Sequence, residues 1–323
     1  MSNQRFRPHP LIRGGFWQTV AAHYANTPET PYIPDHTIVV DLEDEDKIAV
    51  DLNGELKDDG KPVVFMAHGL GGCSNSSYKV RISQKLNPLG FKTARFNHRG
   101  CGNHNIIAHG IYHSGSTRDL LRGIVETQKF WPSSPIMVIG FSLSGTILLN
   151  MLSEDFCPDF PNIKKFLAVC CPLDLERSSQ QLEKGSTKAF DKFYAHHMRL
   201  GVDARVKRHP HLEVPQLPKR FTLREFDEIY TAREAGFNNR ADYYHKCSPI
   251  FKLDRLKRKV EVLLSKDDPL VPQDSWQPLQ NDPRVTLNIQ KSGGHLGFIA
   301  ARKTVFKDFR WLDEYIWRSL ADL

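Results

Sequence analysis

The stretch Ile136-Met137-Val138-Ile139-Gly140-Phe141-Ser142-Leu143-Ser144-Gly145 runs an apolar strand straight into a helix, with a serine at the turn. Four continuous apolar residues ended by glycine read as a buried strand, and 143–152 as a helix. In a G-x-S-x-G elbow the serine is held on a strained tight turn above the sheet edge. Small residues are needed two before and two after it, because the strand and helix backbones nearly touch there. Gly140 fills the first place. Ser144 stands in the second, where glycine is usual, with Gly145 one step later; a serine side chain is small enough to fit. A bare Gly/Ser turn is the alternative reading. A phosphate-cradling Walker loop is excluded, because Gly145 is followed by Thr146 with no lysine.

The same alternation extends outward. Residues 36–42 and 48–52, flanking the acidic turn Glu43-Asp44-Glu45-Asp46, read as an antiparallel hairpin. Strands are expected at 63–67, 93–96, 136–139, 166–170, 260–265 and 285–289, and helices at 78–86, 117–130, 143–152 and 304–320. Continuous apolar strands separated by helices make an α/β protein whose mostly parallel sheet is covered on both faces. From Pro172 to about Leu253 the strand pattern stops, and a helical insertion of roughly 80 residues is expected between two strands of one domain.

Three further segments carry chemistry. His68-Gly69-Leu70-Gly71-Gly72 follows the 63–67 strand directly. An ester-cleaving serine must stabilise an oxyanion, most simply with two preorganised backbone N–H groups; Leu143, after the nucleophile, and Leu70 are the candidates. The alternative is a glycine-rich turn with a chance histidine, and His68 itself reads as a support of the loop. The base that a nucleophilic serine needs must in turn be oriented by a carboxylate. His295, in Ser292-Gly293-Gly294-His295-Leu296-Gly297-Phe298, lies between the last strand and the final helix. Asp268 follows the penultimate strand, with its neighbour Asp267 the rival for the acid. Each alone reads equally well as a solvated loop residue. Together they stand in the order Ser…Asp…His at strand C-terminal ends, where open α/β sheets build their sites.

Composition narrows the remaining classes. With 40% hydrophobic and 25% charged residues, collagen-like and disordered chains are excluded. Six cysteines with no CxxC pair read as reduced thiols of a cytoplasmic protein. Residues 1–15 lack the apolar core of a secretory signal. The most apolar stretch, 135–152, is broken by Gly140 and Ser142, so no membrane span is expected. His196-His197 and His209/His211 lack carboxylates or cysteines at ligand spacing, so no metal is expected. Phe96-Asn97-His98-Arg99-Gly100-Cys101-Gly102-Asn103 lacks the third glycine of a dinucleotide loop. Residues 184–220 hold nine basic side chains against three acidic ones, six of the net +7 charges. No nucleic-acid module accompanies them. The segment is a candidate for steering anionic substrates or resting on an anionic lipid surface, with a solvated helical face as the alternative.

These motifs resemble the YheT-like α/β-hydrolases, related to the mammalian α/β-hydrolase-domain lipases and the yeast medium-chain ester synthases. The resemblance takes in Pro10-Leu-Ile-Arg-Gly-Gly-Phe-Trp-Gln-Thr19, the His68 loop and Asn97-His-Arg-Gly-Cys-Gly102. It continues through Gly140–Gly145, Arg224-Glu-Phe-Asp227, Gly236-Phe237, Tyr243-Tyr244, Asp267-Asp-Pro269 and Gly293-Gly-His-Leu-Gly-Phe298. It implies a single α/β-hydrolase domain over 1–323 with a helical cap at 172–250. It also implies a triad of Ser142, Asp268 and His295, and hydrolysis of small-molecule or lipid acyl esters without metal or organic cofactor. Ser144 departs from the glycine usual in that family. An acyltransferase or a thioesterase would use the same triad, and a binding protein would keep the scaffold without the chemistry.

Overall fold

Every residue of β3 (Val63–Ala67) and β5 (Ile136–Phe141) is buried, as strands covered on both faces must be. The computed structural model of the chain describes residues 5–24, 31–102, 107–321 and 323; Asn103 and the first four residues of the 1–15 segment lie outside them. The remaining strands are β1 (His36–Asp41), β2 (Lys47–Asn53), β4 (Lys92–Asn97), β6 (Ile163–Val169), β7 (Val260–Ser265) and β8 (Val285–Gln290). They form one sheet in the order β1-β2-β4-β3-β5-β6-β7-β8. The hairpin pairs β1 with β2 antiparallel, β2 pairs antiparallel with β4, and all other pairs are parallel.

Alternation along each strand sends side chains to opposite faces. Val63, Phe65 and Ala67 pack with Leu120 and Ile124 of α3 (Thr117–Phe130) and Ile147 and Leu148 of α4 (Leu143–Ser153). Val64 and Met66 pack on the other face with Ile82 and Leu86 of α2 (Ser77–Leu86) and with residues near the C-terminus. Helix α4 is buried at every position from Ser144 to Ser153, which explains its all-round apolar sequence.

Helix α1 (Gly15–Tyr24) precedes the sheet. Between β6 and β7 the described residues contain no strand. They form α5 (Leu175–Leu182), α6 (Lys188–Arg208), α7 (Leu223–Phe226), a π-helical turn (Asp227–Thr231), α8 (Ala232–Glu234) and α9 (Arg240–Cys247). Local chemistry starts three of these. The Asp174 carboxylate accepts the Arg177 N–H, Thr222 and Glu225 form a reciprocal capping box, and the Asn239 side chain accepts the Asp242 N–H.

Most expected boundaries shift slightly, and two of the shifts have a visible local cause. The strand expected to reach Cys170 ends at Val169, because Cys170 takes φ +49°. The helix expected over 304–320 is only α10 (Trp311–Ser319). The Thr304 hydroxyl donates to the Asp308 carboxylate at 2.9 Å and Lys307 sits at φ +63°, so 304–308 closes a turn instead.

Candidate active site

Ser142 is the one residue between β5 and α4 and sits at φ +51°, ψ −120°, a conformation that costs a non-glycine residue on the order of 1–3 kcal/mol. The surroundings enforce it. A Cβ on Gly140 would lie 2.4 Å from the Ser144 carbonyl oxygen, and one on Gly145 would lie 2.4 Å from Cys171 Cβ. The second close approach is thus made by Gly145, one step beyond the usual place, and the Ser144 side chain points elsewhere.

The Ser142 Oγ lies 2.8 Å from His295 Nε2, and His295 Nδ1 lies 2.9 Å from Asp268 Oδ2. The other carboxylate oxygen, Asp268 Oδ1, accepts the backbone N–H groups of Leu270 at 2.8 Å and Val271 at 3.2 Å. Asp268 and His295 are both buried. Asp267 faces away from the imidazole, and its Oδ1 accepts the Gly294 N–H at 2.9 Å. The structure therefore brings Ser142, His295 and Asp268 into one hydrogen-bonded line and leaves Asp267 supporting the loop.

The His68 loop lies against the serine, where a Cβ on Gly69 would come within 3.0 Å of Ser142 Cβ. The polar groups flanking Leu70 are paired. The Gly69 N–H donates to the Tyr78 hydroxyl at 3.1 Å, and the Gly71 N–H to the Tyr112 hydroxyl at 2.8 Å. The Gly69 carbonyl accepts the Gly72 N–H at 3.1 Å and lies 2.8 Å from His68 Nδ1. Burial pushes the His68 pKa well down, so its ring is a neutral support. Among the described residues the N–H groups of Leu70 and Leu143 have no partner. Two unpaired donors beside a serine are what an oxyanion requires.

Sequence reasoning assigned no role to α1, which holds the histidine loop. The Thr19 hydroxyl accepts the His295 N–H at 2.8 Å and donates to the Gly15 carbonyl at 2.7 Å. The Gln18 amide brackets Ile299, accepting its N–H at 2.8 Å and donating to its carbonyl at 3.2 Å. A Cβ on Gly15 would fall 1.5 Å from the Asp267 carbonyl oxygen. The readable signal was the spacing of Gly15, Gln18 and Thr19, which puts all three on one helical face.

Two cavities, of about 320 and about 250 Å³, meet at Ser142 and share Leu70, Tyr194, His197 and His295. The larger is walled by one face of α6, including Tyr194, Met198 and Val202, and also by Leu175, Leu182 and Phe226. The smaller is edged by Thr19, His23, Ser76 and Ser77. Arg208 lines the larger cavity while Lys207 is exposed, so these neighbours do not share a surface. Arg205 pairs with Glu234.

Among the described residues, the donor atoms of Cys170, Asp268 and His295 lie close enough, within 4.8 Å, to hold a metal ion. His295 Nδ1 is already engaged by Asp268, and burial pushes the Cys170 pKa well up. A protonated thiol is a poor ligand, so these residues do not make a fitting metal site.

Residues 62–301 match the family of the alpha/beta hydrolase fold. The chain belongs to that family. Among its relatives, YheT of Escherichia coli is 29% identical over 260 residues, covering 79% of this chain and 75% of YheT. Phospholipase ABHD3 of Bos taurus is 28% identical over 246 residues, 74% of this chain and 59% of that protein. The medium-chain fatty acid ethyl ester synthase/esterase 2 of Saccharomyces cerevisiae is 27% identical over 294 residues, 81% and 65% respectively. The chain thus spans less than two thirds of the latter two. These are the groups that the sequence motifs resemble. Among solved structures, the Pyrococcus furiosus esterase Pf2001 superposes with a TM-score of 0.53 at 18% identity, over 88% of this chain and 92% of that one. The 2,6-dihydroxy-pseudo-oxynicotine hydrolase gives 0.56 at 16% identity, over 95% and 71%. Both share the fold. No helix among the described residues is long and apolar enough to cross a membrane.

Proposed function

We propose that this α/β-hydrolase cleaves carboxylic acyl esters with Ser142 as nucleophile, His295 as base and Asp268 as its orienting acid. The observation that carries the reading is the continuous line Ser142 Oγ–His295 Nε2, His295 Nδ1–Asp268 Oδ2, beside two unpaired N–H groups. Ser142 Oγ attacks the ester carbonyl as its proton passes to His295 Nε2. The resulting oxyanion is held by the N–H groups of Leu70 and Leu143. Collapse expels the alcohol, which takes the proton from His295, and leaves an acyl-serine. Water then attacks, gives its proton to His295, and the second collapse returns it to Ser142 Oγ with release of the carboxylic acid.

The apolar larger cavity suits the acyl chain, and the smaller, edged by hydroxyls, suits the alcohol. Residues 172–250 serve as the cap over the larger one. Acyl transfer follows if an alcohol rather than water takes the acyl group, a reading favoured by the ester synthase/esterase among the relatives.

The surface formed by α1 and the start of α6, which touch at Phe16–Phe190 and His23–Phe193, suits an anionic lipid interface. Trp17 and Tyr24, seven residues apart on α1, are 61% and 72% exposed. His23 touches Phe193 of α6 at 5.5 Å, and Lys188 and Lys192 are exposed, with no ion pair among the described residues. Indole and phenol rings beside basic groups favour the lipid headgroup region.

The direct test is labelling with a fluorophosphonate, followed by Ser142→Ala. The wild type should label at Ser142, and the variant should fold and lose on the order of 10⁶ in kcat. A folded Ser142→Ala protein that keeps most of its esterase activity would overturn the assignment.

A further inference from the structure

Ser144 occupies the elbow place where glycine is usual, and its hydroxyl is fully buried. It donates to the His68 carbonyl oxygen and lies 2.7 Å from His98 Nε2. A hydroxyl has one proton to give. With that proton on the His68 carbonyl, His98 must supply the Nε2–H and the Ser144 oxygen must accept it. The His98 ring is then neutral with a bare Nδ1, and among the described residues Nδ1 has no partner. Burial and the nearby Lys79 ammonium push the His98 pKa down to about 3, in keeping with a neutral ring.

His98 reaches the same loop twice more. Its backbone N–H donates to His68 Nε2 at 3.3 Å. Its ring stacks on Tyr112 at 4.7 Å and 8°, and Tyr112 accepts the Gly71 N–H. The loop is therefore gripped on both sides of Leu70, at His68 and at Gly71. Between these grips the Leu70 N–H has no partner among the described residues, and Leu70 lines the same cavity as Ser142.

We propose that Ser144 and His98 are positioning residues that hold the Leu70 N–H at the oxyanion through the His68 carbonyl. This rests on the reading of Ser142 as nucleophile. Replacing Ser144 by glycine would leave both the His68 carbonyl and the His98 Nε2–H unpaired in a buried place, and the loop would shift to satisfy them. Because the oxyanion contact is made in the transition state, the effect falls on kcat and not on substrate binding. A displaced donor costs about 10- to 100-fold, short of the roughly 10²–10³ for removing one outright.

The experiment uses Ser144→Ala, Ser144→Gly, His98→Gln and His98→Phe in the full chain. It measures kcat and KM with p-nitrophenyl butyrate, inhibition by butylboronic acid, and Tm. Boron adds to Ser142 Oγ to form a tetrahedral adduct with an oxygen at the oxyanion position. Both Ser144 variants should lose about 10- to 100-fold in kcat with KM within about twofold, and boronate affinity should fall by the same factor as kcat. His98→Gln, which keeps a side-chain N–H, should retain more activity than His98→Phe. Folded Ser144→Gly with kcat within about twofold of wild type, or a kcat loss without loss of boronate affinity, would overturn the proposal. Activity that survives Ser142→Ala would instead overturn the nucleophile assignment beneath it.

Discussion

The backbone N–H of His295 donates to the Thr19 hydroxyl at 2.8 Å, tying the base loop to a helix 276 residues earlier in the chain. That loop holds Leu296 at φ +59° and Phe298 at φ +45°, so it needs outside support to stay in place. Thr19→Val keeps the shape and removes the acceptor, leaving a part-buried N–H unpaired at a cost of about 1–3 kcal/mol. Thr19→Val should lower both Tm and kcat, while Thr19→Ser should preserve both. Wild-type values for the valine variant would show that the contact does not hold the base.

Asp268 and Asp267 are neighbours with different tasks, and conservative substitution separates them. Asp268→Asn removes the anion beside His295 Nδ1 and should cost about 10⁴ in kcat. Asp267→Asn keeps a side-chain oxygen for the Gly294 N–H and should cost little. Reversed effects in steady-state kinetics would place the acid at 267.

The buried His98 ring makes the fold sensitive to acid. Unfolded, an imidazole takes up its proton near 6.5; in the folded protein it does so only near 3. Between those values the unfolded state binds more protons, so stability falls as pH falls, by about 1.4 kcal/mol per pH unit for this ring alone. Chemical denaturation between about pH 6 and pH 4 should show a shallower slope in His98→Gln, by about 1 kcal/mol per unit. An unchanged slope would mean that the ring is protonated in the native state.

The basic surface should act through long-range charge, screened beyond a Debye length of roughly 8 Å at physiological salt. Arg208 belongs to the cavity wall, so the outer surface is tested with Lys192→Glu and Lys207→Glu together. Binding to vesicles containing phosphatidylserine should weaken with added salt and with the double reversal, while cleavage of a neutral short-chain ester should not change. Equal salt dependence on neutral and anionic vesicles would leave the basic segment as a solvated surface.

Much of the sheet was legible because burial on both faces demands continuous apolar runs. Val63–Ala67 and Val260–Ser265 have the bounds expected from hydrophobicity, and Thr117–Phe130 follows its helical spacing. Ser142, Asp268 and His295 could be picked out because each follows a strand and the three stand in a known order. The supports were harder to see. Thr19, Gln18 and His98 act through a few hydrogen bonds across long sequence separations, which leave no periodic trace. Residues 304–310 read as helix from the sequence but are not, because the Thr304–Asp308 hydroxyl bond and the positive φ of Lys307 close a turn there. Asp267 and Asp268 could be told apart only by where each carboxylate points.

The matched family region begins at residue 62, whereas the base loop is braced by residues 15–19. A recombinant fragment trimmed to 62–301 would contain Ser142, Asp268 and His295 and still lack Thr19, Gln18 and α10. The boundary for expression, for a split reporter or for grafting this site onto another scaffold is therefore set by hydrogen bonding from α1, and lies more than forty residues upstream of where the recognisable domain starts.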